Sequence, residues 1–303
     1  MRDGSHVPVL LIAFNRPDLT SIALDRLRQI RPRRVYLAVD GPRPGTPGDE
    51  RLVTEVRRRL ESGIDWPSDV VSRFAERNQG CMLGVSNAID WFFRHVDQGI
   101  ILEDDCLPDP SFFPYAAELL ERYAADDDVM HIGGTNPLPP GLRPHSYYFS
   151  KYNHIWGWAT WRRAWQHYDV SLADWPDVKA RRTHHAFFPD DTERRMWERR
   201  WDAVRAGESR DNWDYQWFFA RLLRGMAIVP AVNLVSNIGF RRDATHTRNT
   251  GDEEAALPCL TMRQPLVHPA GKEIDTELDT RYFERHVYPD ARKYRLHDSP
   301  EAT

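Results

Sequence analysis

The chain has 303 residues, with 41 Lys+Arg against 45 Asp+Glu and a formal charge of −4. That length buries a sizeable core as one large or two small domains, and the charge balance excludes a nucleic-acid binder. Three cysteines (Cys81, Cys106, Cys259) are too widely spaced for a disulfide framework or zinc pair, and no apolar run reaches the roughly 20 residues of a membrane span. The apolar stretch 7–14 is short and lacks a signal-peptide cleavage pattern, so a soluble, cytoplasmic protein is expected.

"VPVLLIAFN" (7–15) is a continuous apolar run closed by Asn15-Arg16-Pro17, the pattern of a buried strand. Leu19, Ile22, Ala23, Leu27 and Ile30 follow at helical spacing. "RVYLAVDG" (34–41) predicts a second strand ending in Asp40-Gly41, and after a Pro/Gly-rich loop Leu52, Val53, Val56 and Leu60 share one helix face. "DVVSRFAERNQG" (69–80) predicts a third strand and a polar turn. Val85, Ile89, Phe92, Phe93 and Val96 make a third amphipathic helix, and "GIILEDD" (99–105) a fourth strand. Helices are predicted over 111–125, 190–206 and 212–225, a strand over 128–134, and strand and turn over 227–240. From about residue 270, scattered charge and proline predict a peripheral arm.

This alternation predicts an α/β fold: a mixed, mostly parallel sheet flanked by helices. Such sheets bind ligands beyond the carboxyl ends of their strands. Each of the first four strands delivers polar groups there: Arg16, then Asp40, then Asn78 with Gly80, then Glu103, Asp104 and Asp105. Any one could be a cap or turn residue. Four on one rim argue for a ligand site.

Strand alternation puts Glu103 and Asp105 on one side and Asp104 on the other. Two carboxylates at a strand end suit a hard divalent cation, Mn²⁺ or Mg²⁺, whose other ligands are waters and substrate phosphates. The competing reading is an acidic turn capping the next helix, which Pro108 and Pro110 would begin.

"PVLLIAFNRPDL", "AVDG", "NQGCMLG" and "IILEDD" occur in the order of a GT-A (Rossmann-like) glycosyltransferase. In particular the chain resembles the N-acetylglucosaminyltransferase I type, which has a similar opening strand with Asn-Arg-Pro and a Glu-Asp-Asp metal motif. The likeness spans roughly residues 7–250, specific in the first half and looser in the second, where Gly157-Trp158, Trp213-Asp214 and "VPAVNLVSNIGFRRDATHT" carry it. The Golgi enzymes' anchor and stem are not seen, so the resemblance is to a soluble, bacterial-type relative. It implies one domain over 1–270, with a nucleotide-sugar and metal half (7–135) and an acceptor and catalytic half (136–270), before an arm at 271–303.

The resemblance also implies roles. Arg16 and Asp40 meet the nucleobase or ribose, so both should matter to nucleotide binding more than to stability. Ala13, Asn78, Gly80 and Gly84 belong to the same donor pocket. Glu103 and Asp104 contact ribose and sugar, Asp105 ligates the metal, and His246 is a phosphate or metal contact. The donor it favours is UDP-GlcNAc or a similar UDP-hexose. The acceptor, a glycan, lipid-linked or small molecule, is not legible.

Sugar transfer needs a base positioned on the acceptor hydroxyl. The family places it in a short Trp-Asp segment before a helix, which points to Asp214, with Asp211 the nearest rival because Tyr215 stands where the family has a second acid. The competing role for Asp214 is a helix cap. A single base implies inversion. Trp158 would lie against donor sugar or acceptor, with Gly157 allowing close approach, although each of the eleven tryptophans is more ordinarily core filler. Other readings are a retaining GT-A transferase, a sugar-nucleotide pyrophosphorylase and a non-catalytic carbohydrate-binding protein. A pyrophosphorylase needs a Gly-rich phosphate loop where "FNRPDL" stands, and a lectin leaves the strand-tip acids unexplained.

Overall fold

Side chains alternate across a strand, and here the alternation sorts the core into two layers. The structure, a computed structural model, describes residues 3–209, 211–240 and 256–292. Its strands are β1 (Val9–Ala13), β2 (Arg34–Val39), β3 (Asp69–Phe74), β4 (Gln98–Glu103), β5 (Cys106–Pro108), β6 (Val129–Gly133), β7 (Tyr147–Ser150), β8 (Trp158–Trp161), β9 (Met226–Pro230) and β10 (Val235–Asn237). Its helices are α1 (Pro17–Ile30), α2 (Asp49–Gly63), α3 (Gly80–His95), α4 (Phe112–Arg122) and α5 (Arg162–Trp165). They continue as α6 (Trp175–Arg181), α7 (Asp191–Arg205), α8 (Asp214–Leu222), α9 (Thr276–Tyr282) and α10 (Tyr288–Ala291).

Eight strands form one sheet in the order β3-β2-β1-β4-β8-β6-β9-β7. β3, β2, β1 and β4 run parallel, β6 and β9 share that direction, and β8 and β7 oppose it. The result is the mixed, mostly parallel Rossmann-like sheet that the strand–helix alternation predicts. β5 and β10 form a separate antiparallel ribbon.

Val9, Leu11, Val35, Leu37, Ile100 and Leu102 point to one face, where Leu24 and Leu27 of α1, Val53 and Val56 of α2 and Leu119 of α4 cover them. Leu10, Ile12, Tyr36, Ala38 and Ile101 point to the other, under Ile89 and Phe92 of α3 and Trp217 of α8. Burial on both faces explains the unbroken apolar runs. A third cluster joins α6, α7 and α8 through Trp175, Trp197, Trp201, Phe218 and Phe219, so most of the tryptophan surplus is core.

Two departures from the sequence reading bear on the site. The stretch 227–240 divides into β9 and β10, because residues 231–234 leave the main sheet so that β10 can pair with β5. The segment expected to be a peripheral arm is packed into the molecule as far as residue 292. Asp275 donates its N–H to the Phe149 carbonyl (2.8 Å) and pairs with Arg143 (2.6 Å). Leu278 is buried, and the buried Asp279 accepts hydrogen bonds from the Ser150 hydroxyl and the Lys151 N–H (3.0 Å). The anchor is polar and sparse, so no apolar period betrays it.

Replacing Asp279 by alanine would leave these buried donors unsatisfied. The expected loss is about 1–3 kcal/mol of unfolding free energy. Urea denaturation checks this; a loss below about 0.5 kcal/mol, ordinary for a surface change, would mean the segment is not anchored there.

Candidate active site

The strand order turns back beside β1: the chain goes from β1 to β2 and β3 on one side, then returns to place β4 on the other. Such a reversal opens a crevice at the carboxyl ends of the two central strands. A cleft of about 290 Å³ lies here, lined by Ala13 at the end of β1 and Arg16 beyond it, Asp40 after β2, Asn78 just before α3, Gly80 and Gly84 in its first turns, and Glu103 at the end of β4 with Asp104 beyond it.

β4 ends at Glu103, and Asp104-Asp105 form the turn into β5. Strand alternation therefore ends at the first of the three acids it was used to sort. Instead of facing apart, Asp104 and Asp105 are both clasped by Arg16, through Nη2 on Asp104 Oδ1 and Nη1 at 2.9 Å from Asp105 Oδ2. Arg16, expected at the nucleobase or ribose, is committed to this ion pair.

One guanidinium does not balance three carboxylates. Burial, then Asp105, push the Glu103 carboxyl up to about 8, and burial pushes Asp104 up to about 6 although Arg16 opposes it. Burial alone would favour loss of the Arg16 proton, but Asp104 and Asp105 outweigh it and hold the side chain charged. Asp104 Oδ2 is buried with no hydrogen-bond partner. Surplus charge on hard oxygen ligands and an orphaned carboxylate oxygen fit a divalent cation.

Asp105 is covered from the second half of the chain. Ile238 donates its N–H to the Asp105 carbonyl (2.9 Å), and a Cβ at Gly239 would lie 2.3 Å from Asp105 Oδ2. The β5–β10 ribbon causes this approach, which no sequence motif announced. His246, the expected phosphate or metal contact, lies outside the described residues.

Asp40 is more heavily engaged than a nucleotide contact requires. Its carboxylate accepts from the N–H groups of Gly41 (2.8 Å), Gln79 (2.9 Å) and Gly80 (3.2 Å) and from Asn78 Nδ2 (3.0 Å). It thus ties β2 to the first turn of α3, whose N-terminal amides have no intrahelical partner. Asp40 therefore has a structural part beside its place in the cleft lining, because these donors would be orphaned without it.

A further anchor went unread in the sequence. Asp49, 2% exposed at the start of α2, accepts from Asn15 Nδ2 (2.6 Å) and from Arg43 Nε (2.9 Å) and Nη2 (2.9 Å). Hydrogen bonding from the Arg43 guanidinium outweighs burial and holds that carboxyl at about 2. Asn15 of the Asn-Arg-Pro segment therefore fixes the loop edging the cleft. Its partners were hidden in "GPRPGTPGD", which reads only as a turn.

Asp211 lines the cleft, whereas Asp214 lines a neighbouring cavity of about 640 Å³ with Tyr152, Trp197, Arg200, Tyr215, Phe218 and Tyr282. Asp214 is the first residue of α8; the cap position is Trp213, with no side-chain cap bond. Its charge adds to the upward push on Glu103. Burial, then Glu103, Asp214, Asp211 and Asp105, keep the Cys81 thiol protonated. All four acids thus bear on Cys81 in the first turn of α3, and Asp214 also lines the larger cavity.

Trp158, expected to face a sugar, is 1% exposed in β8, stacked between His131 (4.9 Å) and Trp213 (5.8 Å). Its place in the middle of the sheet excludes ligand contact; it supports the site by backing Trp213, next to Asp214. Gly157, with φ 62°, admits Val235 of β10, whose Cγ2 would lie 2.7 Å from an added Cβ, so its close approach is to protein. Elsewhere His184, His185 and Glu198 bring ligand atoms within 4.8 Å of one another, but Glu198 already serves His184 at 2.6 Å. Among the described residues no helix is long and apolar enough to cross a membrane.

Glu103 titrates from its ordinary 4.5 when unfolded to about 8 when folded, so the folded state holds the extra proton between those values. Stability without metal is therefore complete at low pH in this window and falls as pH rises through it. In EDTA, unfolding free energy should decline from about pH 5 to about pH 8.5, and Glu103→Gln should flatten the decline. An unchanged slope in the variant would remove Glu103 as its source. Asp40→Ala should lower unfolding free energy by about 1–3 kcal/mol, read from urea curves, whether or not a nucleotide is present.

No family model and no curated protein matches the sequence. Among solved structures, HddC from Yersinia pseudotuberculosis is similar over 52% of this chain and 77% of its own, at 11% identity and a TM-score of 0.30. Mannose-1-phosphate geranyltransferase from Thermus thermophilus is similar over 73% of each chain, at 16% identity and a TM-score of 0.36. UDP-glucose pyrophosphorylase complexed with UDP-glucose is similar over 73% of this chain and 89% of its own, at 9% identity and a TM-score of 0.36. Likenesses at these scores decide nothing about activity.

Proposed function

We propose that the chain is an inverting, metal-dependent glycosyltransferase of the GT-A, N-acetylglucosaminyltransferase I type, using UDP-GlcNAc or a similar UDP-hexose. The observation that carries this reading is the placement of Asp214: it lines the larger cavity while its charge reaches Glu103 in the cleft. A donor in the cleft and an acceptor in the cavity would meet beside one carboxylate.

In this reading the cleft binds the nucleotide, with Asn78, Gly80 and Gly84 along one wall and Arg73 adding positive charge. Asp105 would ligate Mn²⁺ or Mg²⁺, with Glu103 and Asp104 toward ribose and sugar, and the metal as a Lewis acid would stabilise the diphosphate leaving group. Arg16 holds Asp104 and Asp105 in place. Asp214 accepts the proton of the acceptor hydroxyl as that oxygen bonds to the anomeric carbon. The bond to the diphosphate oxygen breaks from the opposite face, so the configuration inverts.

Calorimetry should show UDP-GlcNAc affinity that rises with Mn²⁺ in the wild type and not in Asp105→Ala. Asp214→Asn should keep that affinity and lose about 10²–10⁴-fold in turnover, the usual contribution of a positioned base. Donor turnover should release UDP, whereas nucleotidyl transfer would release pyrophosphate. Mn²⁺-dependent affinity persisting in Asp105→Ala would overturn the metal assignment, and a product of retained configuration on NMR would overturn the single displacement.

A further inference from the structure

Arg200, on α7, lines the larger cavity. Its guanidinium lies 4.9 Å from the centre of the Trp197 ring and 5.0 Å from that of Tyr215. The two rings meet edge to face at 87°, and the Tyr215 carbonyl is held by Trp201 Nε1 at 3.1 Å. The guanidinium thus sits against two aromatic rings that meet at an edge, within cation–π distance of both. Other arginines nearby are spent within the protein: Arg194 pairs with Asp191 at 2.6 Å, and Arg205 bonds the Ser171 carbonyl at 3.1 Å. Among the described residues Arg200 has no carboxylate and no hydrogen-bond acceptor.

A half-buried guanidinium with its donors unspent can bind a planar or tetrahedral anion through two parallel hydrogen bonds. The same cavity presents Phe218 and Tyr282, aromatic surface of the kind that packs on sugar-ring faces. Among the described residues its other ionisable groups, tyrosines apart, are Arg285, His286, Asp290 and the proposed base Asp214, which in this reading meets a hydroxyl while Arg200 meets something negative.

We infer that the cavity takes a sugar or polyol carrying a carboxylate or phosphate, and that Arg200 binds that anionic group and so selects the acceptor. This rests on the reading of the cavity as the acceptor site. Anchored at the anion, the acceptor is oriented with a hydroxyl toward Asp214.

Calorimetry without nucleotide tests it, with glucuronate, glucose 6-phosphate and methyl glucoside as probes. At least one anionic sugar should bind about 10–100-fold tighter than methyl glucoside, the worth of charge-assisted hydrogen bonds. Which of the two binds tells carboxylate from phosphate. Arg200→Met should erase the preference, with melting temperature as the check on folding. Arg200→Lys, which keeps the charge without the flat fork, should keep only part of it and serves if the methionine variant does not fold. Equal binding of all three sugars, or an anion preference surviving Arg200→Met, would overturn the inference. Anion binding alongside absent UDP-GlcNAc binding would instead strike the donor reading and leave the Arg200 assignment standing.

Discussion

Everything at the carboxyl ends of the central strands depends on the ion pair of Arg16 with Asp104 and Asp105. It spans the point where the strand order reverses, joining the residue that follows β1 to the turn that follows β4. Without Arg16 the three acids would repel one another in a place where burial already penalises charge. With it, one positive charge faces three negative ones. The cluster is held together but left short of cation, and the high titration points of Glu103 and Asp104 express that shortage.

The second half of the chain bears on the site at two places, by contact at Asp105 and by charge at Glu103. The β5–β10 ribbon lays Gly239 against Asp105, and α8 starts where Asp214 can act on Glu103. The second placement depends on an aromatic core. Trp158, Trp213 and Trp217 stack behind the start of α8, while Trp197 and Trp201 bind α7 to it. These tryptophans serve the site by fixing where Asp214 stands, and Trp197 reaches the larger cavity itself.

The C-terminal segment has a comparable double role. α9 is fastened by Asp275 and Asp279 to the edge strand β7 and the residues after it. Tyr282, Arg285 and Asp290, beyond that fastening, form a wall of the larger cavity. The shape of that cavity is therefore decided partly by residues most distant in sequence from the cleft.

How much was legible follows from how local each signal is. Apolar runs and helical spacing depend on neighbours within a few residues, so β1 to β4, α1 to α3 and the rim bearing Arg16, Asp40, Asn78 and Glu103 could be placed from the sequence. Contacts between distant segments leave no such period. The clasp of Arg16 on residues 88 and 89 positions away was invisible, since it needs β1 and β4 to be neighbours and Asp104-Asp105 to be a turn. The ties of Asp40 to the start of α3 were equally invisible, since its donors come from residues 39 and 40 positions away. Trp158 looked like a sugar platform because strand and surface tryptophans are spelled alike. The sequence by itself determined the layers of the fold and which strand ends carry polar groups, because both follow from periodicity. Only the tertiary structure decided which charges neutralise one another, which aromatic rings are buried and which acid faces which cavity, because those outcomes depend on distances between segments that the order of residues does not contain.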